Sequence, residues 1–269
     1  MIHSKRDSHF KAGLIITGIM LVIIIVGLFW TPYDPNAMDG SAKMQGPSFS
    51  HILGTDNFGR DIFSRVVQGA GSTFLIAAAT VAIGLAIGTL LGAITGYYGG
   101  WLDEVLMRLN DSILAFPSIL LALVLIAVMG PGKYNIIVAL GILFIPSFAR
   151  IVRTEVAKQK NTDYVRAAKL MGAGDIRILL LHILPNIIPV LLSSIAIGFN
   201  NAVLAEASMS YLGVGVQPPD PSLGRMLSEA QGFLSGAPWY AISVGVAIII
   251  LILGFSLLSE GLGGDDSAR

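Results

Sequence analysis

Charged residues divide this chain into long apolar runs. Residues 12–33, 66–102, 112–132, 134–149, 178–205 and 230–259 contain no Asp, Glu, Lys or Arg. A helix that crosses a bilayer needs about 20 mostly apolar residues. Backbone amides cannot stay unpaired in hydrocarbon, so runs of this length predict helices. The pattern predicts an all-α integral membrane protein with six spans, near 12–31, 73–98, 105–129, 134–153, 185–212 and 238–258. The run at 134–149 is the shortest, and the third span opens on polar residues. The first run has a basic lead in Lys5, Arg6 and Lys11, but Leu28-Phe29-Trp30-Thr31-Pro32 offers no small-residue cleavage site, so it reads as a retained anchor.

Composition narrows the function classes. The chain is 54% hydrophobic and 13% charged, against roughly 25% charged in soluble domains. Its formal net charge is zero, so no global field gathers nucleic acid. Cysteine is absent, which removes disulfides, thiolate metal sites and a cysteine nucleophile. The basic residues set an orientation, since cytoplasmic loops carry the excess of Lys and Arg. With both termini inside, the N-terminal trio, Arg108, the cluster from Arg150 to Arg177 and Arg269 are cytoplasmic, and Lys43, Arg60, Arg65, Lys133 and Arg225 lie outside. This divides the chain into a tail, first span and outer segment (1–72), a core of five spans with an inner loop at 154–184 (73–259), and a short cytoplasmic tail (260–269).

Enzyme signals are missing. There is no Gly-x-x-x-x-Gly-Lys-Ser/Thr phosphate loop and no Gly-x-Ser-x-Gly. His3, His9, His51 and His182 are scattered, so no paired-histidine metal site is expected.

The inner loop carries the most information. Asp163 suits an N-cap and Gly172 a left-handed C-cap, which predicts a helix of about two turns at the membrane surface. Tyr164, Ala168 and Met171 recur at helical spacing, and Arg166, Lys169 and Arg177 stay wet. Such a helix can rest on lipid. It can equally seat its small residues in a groove on a soluble subunit, and these residues by themselves leave both readings open.

The spacing Ala167-Ala168, Gly172, Leu184-Pro185 resembles the coupling-loop motif of permease subunits in bacterial ABC importers. Arg166 and His182 depart from it, standing where the motif has Glu and Ile. Leu53-Gly54-Thr55-Asp56-Asn57-Phe58-Gly59-Arg60-Asp61-Ile62-Phe63-Ser64-Arg65 and Tyr211-Leu212-Gly213-Val214-Gly215-Val216-Gln217-Pro218-Pro219-Asp220-Pro221-Ser222 are similar to stretches of the dipeptide/oligopeptide/nickel permeases, and the long outer segment after the first span is similar to their C-type subunit. The resemblance implies a type I importer permease fold in a bacterial or archaeal inner membrane. It also implies a heterodimer with a homologous permease, two cytoplasmic ATPases holding ATP and Mg, and an extracytoplasmic substrate-binding protein. No cofactor and no catalytic residue would belong to this chain. Coupling to the ATPases would involve Tyr164, Ala167, Ala168, Met171, Gly172, Leu184 and Pro185, as contacts to or supports for the coupling helix. Short peptides are the implied cargo, with nickel or a metal–chelator complex as the alternative. A stand-alone channel or ion-coupled carrier fits less well, because carriers tend to show inverted repeats and paired mid-membrane charges. Here no repeat is visible and only Glu206 is deep.

Several polar residues have two readings. Ionisable groups at membrane depth usually face protein or a water-filled path. Glu206, Asn200 and Asn201 are therefore candidates for the path or for interhelical hydrogen bonds. Arg108 and Asp111, three apart, predict an internal ion pair. Gly84, Gly88, Gly92 and Gly96 predict a close helix contact, within the subunit or between two. Pro117, Pro146 and Pro189 predict bends. Asp56, Arg60, Asp61 and Arg65 form an outer cluster suited to local salt bridging or, with Gln217 and Asp220, to contact with the binding protein.

Overall fold

The computed structural model describes the backbone of residues 2–262 and the side chains of 8–261. Expectations that rest on the side chains of Lys5 and Arg6, or on Arg269 in the tail, lie outside the described residues. The described chain is helical, with one isolated bridge between Thr55 and Asp61.

The helices, in chain order, are α1 (Ile2–Phe29), α2 (Ile62–Tyr98), α3 (Gly100–Leu114), α4 (Ser118–Met129), α5 (Lys133–Gln159), α6 (Asp163–Leu170) and α7 (Asp175–Ile178). A π-helical turn, Leu179–Ile183, leads into α8 (Leu184–Tyr211), followed by α9 (Leu223–Gln231) and α10 (Pro238–Leu262). Among the described residues five stretches are long and apolar enough to cross a membrane: Ser8–Phe29, Ile62–Tyr98, Lys133–Gln159, Asp175–Tyr211 and Pro238–Gly261.

The sixth crossing corrects the sequence reading. In place of one helix over 105–129, α3 and α4 meet at 90°. Pro117 stands immediately before α4 with ψ 121°, outside the helical region. Proline also disfavours the α conformation at the residue before it, Phe116, so the chain turns there. Two other spans differ at their ends. α2 starts at Ile62 instead of 73, where the Asp61 carboxylate accepts the Ser64 N–H at 2.8 Å. Its 37 residues rise about 56 Å, well beyond a hydrocarbon core of about 30 Å, so the first turns of α2 belong to the polar layer. α8 is continuous with α7 through the π turn, in which Leu184 N–H reaches back to the Leu179 carbonyl. Pro185 has no N–H to give the preceding turn, and the wider ring accommodates that loss.

The glycine row on α2 packs within the chain, against α5. A Cβ on Gly88 would stand 2.7 Å from Phe148 Cβ, 2.8 Å from the Ile145 carbonyl oxygen and 2.9 Å from the Ala149 nitrogen. The neighbours at 84, 92 and 96 meet α5 equally closely at Phe144, Ala149 and Arg153. Small side chains let the two backbones touch, which is how helices associate without a hydrophobic drive between them. α1 lies along α10 in the same manner, with Gly254 against Thr17.

Segment 30–61 is coil tied to the bundle by buried charge. Arg60 Nε donates to Asp56 Oδ2 at 2.6 Å and Arg60 Nη2 to Glu229 Oε2 of α9 at 3.1 Å. Arg65 Nη1 donates to the Pro35 carbonyl at 3.0 Å, and its guanidinium lies 3.7 Å from both Asp56 and Glu229. The Tyr240 hydroxyl donates to Glu229 at 3.2 Å. Two buried arginines thus face two carboxylates, with segment 30–61, α2, α9 and α10 all contributing.

Candidate functional site

At the end of the bundle opposite segment 30–61, α5 passes into α6. Thr162 occupies the N-cap position and makes no side-chain capping bond, so Asp163 is the first helical residue and not the cap. At the other end Gly172 N–H bonds the Lys169 carbonyl and Ala173 N–H the Ala168 carbonyl, both at 3.0 Å. This paired closure requires a left-handed residue, and Gly172 supplies it with φ +82°.

The orientation of α6 revises the predicted face. Val165 and Ala168 are buried, Ala168 with 3% of its surface exposed, against Ala93, Tyr97, Val152, Val156, Ile178 and Ile187. Ala168 therefore supports the helix from beneath and is withdrawn from any partner. Ala167 and Leu170 point the other way, Leu170 90% and Met171 82% exposed, while Tyr164 lies at the edge of the buried face and donates its hydroxyl to Gln159 Oε1 at 2.9 Å. Leu170 is the residue that the helical-spacing argument missed; its position at i+3 from Ala167 was the available signal. Ile176 on α7 is exposed as well.

Below α6 a polar tie holds the loop. Tyr97 of α2 donates from its hydroxyl to Asp175 Oδ1 at 2.6 Å. The ammonium groups of Lys169 and Lys160 lie 5.3 and 5.7 Å from the Tyr97 ring centre. Leu184 packs on the cluster beneath α6, and Pro185 is exposed at the start of α8. α6 is thus a firmly seated helix whose exposed side sets Ala167, Leu170 and Met171 beside Asp163 and Arg166.

A second feature lies among α4, α5 and α8: a cavity of about 490 Å³. Asn201 lines it, with Ser118, Ser147, Ser194 and Ser208 among leucine, isoleucine and phenylalanine side chains. Of the three predicted path residues only Asn201 is there. Asn200 faces α10, with its amide beside the Ile252 carbonyl and the Ser256 N–H. Glu206 is fully buried, accepts the Ser210 hydroxyl at 2.6 Å, and the same hydroxyl accepts the Val216 N–H at 3.1 Å. Glu206 therefore pins the turn after α8. The cavity serines went unremarked in the sequence because a serine within a span carries no pattern of its own.

Arg108 pairs with Glu104 at 2.7 Å and Asp111 with Arg150 at 2.5 Å, so the expected Arg108–Asp111 pair is replaced by one bond along α3 and one to α5. Asp56 and Arg60 are 0% and 4% exposed in the network above and offer no surface to an external protein. Gln217 donates to the carbonyls of Gly213 and Gly215, both at 3.0 Å, closing its own turn. Asp220 is exposed and lies 3.3 Å from Lys133. In the coil, the Asp39 carboxyl is held below its usual range, first by the Ser41 hydroxyl it accepts from.

A long apolar bundle with a helix seated at one end is the build of an integral membrane protein. Residues 88–262 match the family described as binding-protein-dependent transport system inner membrane component, and the chain belongs to that family. It is 40% identical over 258 residues to the dipeptide transport system permease protein DppC of Alkalihalophilus pseudofirmus, covering 96% of this chain and 85% of that protein. It is 41% identical over 250 residues to the glutathione transport system permease protein GsiD of Pectobacterium atrosepticum, covering 91% and 83%. Among solved structures, the fold is similar to a chain of the MetNI methionine ABC transporter in inward-facing conformations, with TM-score 0.63, 21% identity and coverage of 74% of this chain and 94% of that one. The type I importer permease fold expected from the sequence is the fold observed.

Proposed function

We propose that this chain is one permease subunit of an ATP-driven importer of dipeptides or similarly short peptides. A homologous permease completes the pathway, two cytoplasmic ATPases supply the energy with ATP and Mg, and an extracytoplasmic binding protein delivers the cargo. The chain itself holds no cofactor and catalyses nothing. The observation that carries this reading is α6: one face is sealed onto the bundle by Val165 and Ala168, and the other leaves Ala167, Leu170 and Met171 exposed, with Tyr164 at its edge. The dipeptide and glutathione permeases named above are relatives over most of the chain, which supports peptide as the cargo.

In this reading α6 sits in a groove on an ATPase, on the cytoplasmic side together with both termini. Gly172 and the closure it makes end the helix, and Leu184 and Pro185 join it to α8, which lines the cavity. Closure of the ATPases would move α6, and α8 would carry the motion to the cavity wall. Two sites are thereby coupled through one element with two positions. On the outer side Asp220, and Gln217 through the turn it shapes, are the contact points proposed for the binding protein.

The test is Ala167→Glu combined with Leu170→Glu in the reconstituted complex. The chain should still insert, while labelled dipeptide uptake is lost. Wild-type uptake by this variant would refute the assignment. In a strain lacking only this chain, loss of nickel uptake with intact dipeptide uptake would replace peptide by metal as the cargo.

A further inference from the structure

We propose that the cavity among α4, α5 and α8 is a charge-free amide-recognition site: Ser118, Ser147 and Asn201 hydrogen-bond the backbone of the passing peptide and leave its side chains unread. This rests on the peptide reading above and adds to it which part of the peptide is recognised.

Three elements bring these groups together. Ser118 opens α4 just after the 90° bend, Ser147 follows Pro146 within α5, and Asn201 lies in the middle of α8. Two other cavity hydroxyls are spent locally: Ser194 donates to the Val190 carbonyl at 2.8 Å and Ser208 to the Leu204 carbonyl at 2.7 Å. The side chains of Ser118, Ser147 and Asn201 make no hydrogen bond among the described residues, and all three line the cavity. Each can both donate and accept. A peptide bond presents one N–H and one carbonyl, the same pairing in reverse.

None of the cavity-lining residues is charged. Ser118, Ser147 and Asn201 are exposed on this wall, where a fixed carboxylate or ammonium would attract cargo of opposite charge and repel cargo of like charge. Glu206 lies in the same helix, yet it is sealed and bonded to Ser210, away from the cavity. The volume, about 490 Å³, falls in the range that encloses small organic ligands. Neutral two-way groups on an otherwise apolar wall suit a ligand whose invariant part is an amide and whose side chains vary.

The experiment uses the complete transporter in proteoliposomes with saturating binding protein, and compares maximal uptake of Ala-Ala, Ala-Lys and Ala-Glu. Wild type should move all three at comparable rates. The triple variant S118A/S147A/N201A should slow all three together by about tenfold. A single Asn201→Asp should leave Ala-Lys moving and slow Ala-Glu relative to it by about tenfold. Wild-type rates in the triple variant would overturn the inference, as would equal rates for Ala-Lys and Ala-Glu in Asn201→Asp, or strong charge discrimination by wild type. If the wild-type complex moves none of the three dipeptides, the peptide reading itself fails, a result distinct from each of these.

Discussion

Glu229→Gln gives a sharp measure of how segment 30–61 is held. In the wild type Glu229 accepts from Arg60 at 3.1 Å, Arg225 at 3.1 Å and Tyr240 at 3.2 Å, with Arg65 3.7 Å away. Arg60 and Arg65 are almost wholly buried, and among the described residues Asp56 is the other carboxylate they share. The amide keeps the volume of Glu229 and removes its charge, so two buried cations remain against one anion. Breaking a buried pair in this way costs about 3–5 kcal/mol. For a chain of this size that corresponds to a fall in Tm of roughly 6–20 °C. The assay is thermal unfolding of the detergent-solubilised chain, with protease cleavage in 30–61 as the local readout. Arg60→Met combined with Glu229→Met removes one charge of each sign and should recover much of the loss, since both ions leave together. If Glu229→Gln shifts Tm no more than a surface substitution, or if the double variant costs the sum of its singles, the network is not the clamp described.

Two further outcomes follow from the packing and the surface. Gly88→Leu places a side chain against the backbone of α5 at Ile145 and Ala149; it should cost about 1–3 kcal/mol or more, read as loss of folded chain in the membrane. Asp220→Asn breaks an exposed pair with Lys133 and should change stability by at most about 1 kcal/mol. In the assembled transporter the same change should weaken stimulation by the binding protein, and unchanged stimulation would remove Asp220 from that contact.

What was legible in the sequence was whatever a local rule governs. The apolar runs located the spans because lipid demands twenty uncharged residues and a closed hydrogen-bond ladder. The row Gly84, Gly88, Gly92, Gly96 announced a close helix contact, and Gly172 the end of α6. Even the departure at 105–129 had its mark in Pro117, although the depth of the bend did not.

The partners of these features are set by the fold. The glycine row could have met another subunit, and the contact with α5 is decided by how α2 and α5 lie in three dimensions. Helical spacing grouped Tyr164, Ala168 and Met171, but the side of α6 that faces down follows from where Tyr97, Val156 and Ile187 stand beneath it, so Ala168 is buried and Leu170 is bare. Asp56 and Arg60 read as outer charges until Glu229, 169 residues along from Arg60, closes over them. Sequence periodicity reports what one element requires of its surroundings; which other element meets that requirement depends on contacts between residues far apart in the chain, and only the folded bundle brings those together.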